Sequence, residues 1–133
     1  MMLEDIAEYL EDGGIGTLGT DILLASEPTA PDNCITLYEY AGGPPSLLAE
    51  LENPGLQVRV RNTSWYNARV KLESIKTLLQ KIGNEFDEEF AGGITINSTF
   101  YAKIFPTAGI TPLGEDEKGR SIITQSYIIT KGE

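Results

Sequence analysis

The chain has 133 residues, with 20 acidic side chains against 10 basic ones, one cysteine and no histidine. At 41% hydrophobic and 23% charged residues it is globular in composition, and its length suits a single domain over residues 1–133 built on one core. The formal charge of −10 opposes binding to phosphate backbones, the missing histidines remove the usual zinc sites and Ser-His or Cys-His catalysis, and Cys34 alone allows no internal disulfide.

No run of about 18 apolar residues is present, so no membrane partner is expected. Met1 to Asp5 lacks a basic segment, so no secretion signal is expected either. Without export, the sequons at Asn62-Thr63-Ser64 and Asn97-Ser98-Thr99 carry no weight. Leu3, Ile6, Ala7 and Leu10 share one helical face, which predicts a helix from Leu3 to Asp12 stopped by Gly13-Gly14. The glycine-rich Gly14 to Gly19 follows a helix and lacks a Gly-Lys-Ser/Thr ending, so it reads as a turn and not as a phosphate loop.

Asp21 to Ala25 and Cys34 to Tyr40 are predicted strands, separated by a loop with Pro28 and Pro31. Cys34, beside Ile35 and Leu37, is expected to be a buried thiol. Ala41-Gly42-Gly43-Pro44-Pro45 is expected to end the second strand, with a connector from Ser46 to Asn53 and a brief helical turn at Leu47 to Leu51. Leu47, Leu48 and Leu51 read as core staples or interface residues.

Pro54-Gly55 signals a turn. In Leu56 to Arg61 apolar and polar residues alternate, which points Leu56, Val58 and Val60 to a core and Gln57, Arg59 and Arg61 to water or a partner. Trp65, Ala68, Leu72, Ile75, Leu79 and Ile82 then step by three and four, one face of a helix. Asn62, Thr63 and Ser64 are placed to cap its start, Gly83 to close it, and Lys76 and Lys81 to complement its dipole.

Glu85, Asp87, Glu88 and Glu89 form an acidic stretch that fits no calcium loop and reads as a solvated linker. Ile94 to Phe105 is predicted as one long strand with a bulge near Asn97-Ser98. Pro106 to Arg120 reads as a long loop, and Ser121 to Thr130 as the last strand. Asp116 and Glu117 could pair for acid–base work, but beside Lys118-Gly119 they read as a solvated tip. No enzyme motif and no cofactor site is found. The expected class is α+β: one antiparallel or mixed sheet with two helices on one face.

Four blocks carry a resemblance. They are Leu3 to Ile6 with Gly14 to Ile22, Pro31 to Tyr40, Asn53 to Arg61, and Leu113 to Arg120. In this order the chain resembles the minor capsid or tail-completion proteins of tailed bacteriophages, a group that includes tail terminators. The resemblance covers most of the chain and is weakest from Asn84 to Ile104. It implies a structural virion protein, assembled in the host cytoplasm, that forms a homo-oligomeric (hexameric) ring. Its expected partners are the tail tube protein and a head-completion or connector protein, with no specific nucleic-acid binding. The candidate assembly surface is Arg59, Arg61, Leu113, Glu115, Asp116, Glu117, Lys118 and Arg120. Two alternatives are a head-side minor capsid or head-completion protein, and an acidic inhibitor mimicking DNA. The scattered carboxylates count against the second.

Overall fold

A computed structural model describes residues 2–46 and 51–132. In chain order it has α1 (Met2–Asp12), β1 (Ile22–Leu24), β2 (Cys34–Ser46), β3 (Leu51–Asn62), α2 (Trp65–Lys81), β4 (Ile94–Ile96), β5 (Thr99–Pro106), β6 (Thr111–Glu115) and β7 (Ser121–Gly132). The strands form one sheet in the order β1-β2-β3-β7-β5-β4, with β6 also on β7. β1 lies parallel to β2 and the remaining pairs are antiparallel. β6 pairs with β7 over Ser121–Thr124 and β5 with Tyr127–Lys131, so the two follow one another along one side of β7. The class is α+β, as the pattern of elements implies.

Alternation along the strands decides which face the helices cover. Register places Ile22, Ile35, Val60 and Ile123 in one cross-strand row, and Leu24, Leu37, Val58 and Gln125 in the next. Against these rows pack Leu3, Ile6, Ala7 and Leu10 of α1 and Ala68, Leu72, Ile75 and Leu79 of α2. Each large aliphatic side chain buried there contributes about 1.5–3 kcal/mol. Gln125 is the polar member of the rows, and both ends of its amide are used. Its Nε2 donates to the Ala108 carbonyl at 3.0 Å, and its Oε1 accepts from the Tyr127 hydroxyl at 2.8 Å.

The helix ends follow the sequence. Ser64 Oγ accepts the Asn67 amide at 3.3 Å, and Asn62 Oδ1 accepts the Ser64 amide at 3.0 Å. Gly83 takes φ 77° just after the C-cap Ile82. Trp65, the first residue of α2, departs from the expected stripe: it is 51% exposed. α1 is tied down by a buried carboxylate. Asp5 accepts from the Tyr101 hydroxyl at 2.5 Å and from Asn97 Nδ2 at 3.0 Å. Burial, and then this bond, push the Tyr101 hydroxyl pKa up.

Two strand boundaries on this side of the sheet differ from the expectation. β2 does not stop at Ala41 but runs on to Ser46, and β3 begins at Leu51, before Pro54-Gly55. Two register shifts between Tyr40 and Ser46 absorb the glycines and prolines. Gly55 makes no turn. It is the seat of an aromatic ring: a Cβ there would lie 2.3 Å from Tyr40 Cζ, and the Tyr40 hydroxyl donates to the Tyr127 carbonyl at 3.2 Å. Of the helical turn expected at Leu47 to Leu51, residues 47–50 lie outside the described residues and Leu51 is in β3.

The long strand expected from Ile94 is instead a hairpin. Asn97 and Ser98, at φ 48° and 70°, form the two-residue turn between β4 and β5. Two consecutive residues at positive φ match the twist of an antiparallel pair, and asparagine tolerates that region. The bulge in this region falls later, between Tyr101 and Lys103. The loop expected from Pro106 to Arg120 contains β6. Pro112 is tolerated because β6 is an edge strand, and Gly114, at φ 91°, sits where the register shifts.

Candidate assembly surface

The face of the sheet away from the helices carries Cys34, Thr36, Tyr38 and Tyr40 of β2, set opposite Arg61, Arg59, Gln57 and Gly55 of β3. One end of this face is covered by the loop from Ser26 to Asn33. That loop contains two prolines without N–H groups, and its carbonyls need donors from elsewhere. Arginines supply them. Arg61 Nη2 donates to the Pro31 carbonyl at 2.6 Å and its Nε to the Asp32 carbonyl at 3.3 Å. Arg120 Nη1 donates to the Thr29 carbonyl at 2.6 Å and lies 3.2 Å from Asp32 Oδ1. Arg59 Nε meets Glu27 Oε1 at 3.2 Å. The planar guanidinium, with five donors, suits this task.

Arg61 therefore does not face water or a partner, contrary to the alternation argument; it is 3% exposed. Alternation chose the side of the sheet correctly, but a loop whose contacting carbonyls lie 29 and 30 residues away in sequence covers that side. Cys34 lies under the same loop, and burial pushes its thiol pKa up.

At the β6–β7 turn, Asp116 Oδ1 accepts the amides of Lys118 and Arg120 at 3.0 and 2.9 Å, and Oδ2 accepts Arg120 Nε at 2.7 Å. The Arg120 amide first, and then its guanidinium, hold the Asp116 carboxyl below its usual range. The eight candidate residues thus divide. Arg61, Asp116 and Arg120, with Arg59, brace the turn and the loop within one subunit. Leu113, Glu115, Glu117 and Lys118 are exposed on the hairpin tip, with Leu113 at 52%. Among the described residues, the outer edge of β6 has no partner strand.

Two exposed apolar patches escaped the sequence analysis. On the bare sheet face Tyr40, Gly55, Ile128 and Phe105 form a cross-strand row, and Lys103 Nζ lies 5.6 Å from the Phe105 ring centre. On α2, Trp65, Tyr66 and Val70 are exposed. The signal for this second patch was present, since Tyr66 and Val70 are four apart and off the core stripe.

The Gly14 to Gly19 turn has no free cradle for a phosphate. Its Thr17 amide donates to Asp21 Oδ1 at 2.6 Å and its Leu18 amide to Glu11 Oε2 at 2.8 Å. Among the described residues, no three Asp, Glu or Cys groups converge on a cation-sized site. In the acidic stretch, Asp87 Oδ1 instead caps the Glu89 and Phe90 amides, at 3.0 and 2.9 Å.

The profile of the bacteriophage tail terminator protein family matches residues 9–132. The chain belongs to this family. The match spans every strand and all of α2, so the braced hairpin and both apolar patches lie within the terminator domain. A comparison with curated proteins returned no match. No helix of the described residues is long and apolar enough to cross a membrane.

Proposed function

We propose that this tail terminator closes as a hexameric ring on the head-proximal end of the tail tube. There it stops tube growth and offers its other rim to the head-completion or connector protein. Its role is structural, without catalysis, and it assembles in the host cytoplasm before joining the virion. The family match over residues 9–132 carries the reading. A ring needs two different patches on each subunit, joined heterologously and closing after a fixed rotation. An exposed hairpin tip and separate apolar patches on the two layers are suited to that requirement. The acidic balance suits a bore that passes DNA without holding it.

The test is electron microscopy of tails assembled with and without this protein. Its omission is expected to give overlong tails that do not join heads. Tails of normal length that join filled heads without it would rule the reading out.

A further inference from the structure

Two surface segments meet at one buried arginine. Arg120, just before β7, is buried although it is charged. Its Nε donates to Asp116 Oδ2 at 2.7 Å, on the β6–β7 turn. Its Nη1 donates to the Thr29 carbonyl at 2.6 Å and to Asp32 Oδ1 at 3.2 Å, on the loop that covers one end of the outer sheet face. Thr29 and Asp32 lie 91 and 88 residues before Arg120, so the two segments are joined only by the fold.

The segments differ in how they hold themselves. The turn closes on its own: the Asp116 amide donates to the Arg120 carbonyl at 2.9 Å, the Gly119 amide to the Asp116 carbonyl at 3.0 Å, and Asp116 Oδ1 accepts two further amides. Residues 26–32 have no such support. Among the described residues they make no backbone–backbone hydrogen bond, and their polar ties run through the side chains of Arg59, Arg61 and Arg120. The cover over this end of the sheet is also imperfect. Cys34 and Thr36 are buried side by side on its outer face. The Thr36 hydroxyl, with only the Cys34 thiol beside it, makes no hydrogen bond of normal geometry. Its desolvation is uncompensated while the face is covered and is relieved when water enters, which biases the cover toward opening.

We propose that the β6–β7 turn is the handle of a latch: by holding the Arg120 guanidinium it keeps the 26–33 loop closed over the Cys34 end of the sheet, and displacing the turn opens the loop. The planar guanidinium suits the pin, because its donors are fixed relative to one another; Nη1 cannot stay on Thr29 if Nε is drawn away with Asp116. The dependence runs from turn to loop, since the turn keeps its own backbone hydrogen bonds when the loop leaves and the loop has none to keep. The exposed side chains of the tip, Leu113, Glu115, Glu117 and Lys118, are therefore where a surface contact acts on the opposite end of the latch. The latch works within one subunit and does not depend on the ring reading.

Cys34 is the chain's one thiol and lies under the loop, so its rate of reaction with dithionitrobenzoate under native conditions reads loop opening directly. Asp116→Asn keeps an oxygen for the Lys118 and Arg120 amides and turns a donor toward Arg120 Nε. It changes the turn and touches nothing in the loop, yet is expected to speed Cys34 labelling at least about fivefold, as loss of a charge-assisted hydrogen bond implies. Arg120→Lys keeps the charge without the fork and is expected to do the same. Glu117→Gln, on the same tip but outside the latch, is expected to leave the rate unchanged. Denaturation curves measured on each variant separate loop opening from loss of the whole fold. An unchanged rate in Asp116→Asn and Arg120→Lys would overturn the proposal, because the loop would then close without the turn. Labelling that rises in all three variants in step with lost global stability would overturn it too, because Cys34 would then be reached only by unfolding.

Discussion

The two faces of the sheet are closed by different physics. On one, α1 and α2 lay aliphatic side chains on rows of isoleucine, leucine and valine, and the contact is dry and non-directional. On the other, a proline-bearing loop is strapped down by Arg59, Arg61 and Arg120 through hydrogen bonds to carbonyls and carboxylates. The first kind of contact survives many substitutions of similar volume. The second depends on individual donors, because a carbonyl left unpaired under the loop keeps its desolvation cost. The helix side sets global stability, and the arginine side sets the shape of one surface.

The largest effect is expected on the helix side. Leu72→Ala empties a fully buried position at the centre of the α2 stripe and should destabilise the fold by about 2–5 kcal/mol. A chemical denaturation midpoint unchanged within error would show that the two faces do not divide stability in this way.

Arg61→Met keeps the apolar stem and removes the donors to Pro31 and Asp32. The expected cost is on the order of 2 kcal/mol. It should appear with faster proteolysis and hydrogen exchange confined to residues 26–33. Uniform acceleration across the sheet would mean that the arginine side also carries the global fold.

Tyr101→Phe probes a polar contact on the dry side. It removes one of the two donors seen on buried Asp5 and should cost about 1–3 kcal/mol. A neutral result would mean that Asp5 finds a substitute partner and that α1 is held by its apolar face alone. Ser64→Ala removes the α2 cap and should cost about 1 kcal/mol. If it costs as much as Leu72→Ala, local capping matters more here than packing does.

The smallest effect concerns pH. The Asp116 carboxyl is held low, so the stability it adds is present above the ordinary carboxylate pKa of about 4 and is lost as pH falls below that. The gap in melting temperature between the native chain and Asp116→Asn should therefore shrink on acidification below pH ~4. A gap that widens on acidification would contradict the bracing role.

Much of the architecture was legible in the sequence because it rests on local periodicity. The step of two in Leu56 to Val60 and the step of three and four from Ala68 to Ile82 fixed one strand, one helix and their shared core face. Ser64 and Gly83 marked the helix ends through their own backbone chemistry. What the sequence could not decide was whatever depends on a distant partner. Pro54-Gly55 looks like a turn until the Tyr40 ring is seen lying over Gly55. Pro112 and Gly114 look like loop residues until β7 provides a strand to pair with. Arg61 looks solvent-facing until the 26–33 loop folds across it, and with that loop in place Arg61, Asp116 and Arg120 become bracing while Leu113, Glu115, Glu117 and Lys118 stay exposed. Periodicity is a property of neighbours along the chain. Coverage of a face, pairing of an edge and the partner of a charge are set by residues tens of positions away, and only tertiary structure brings those together.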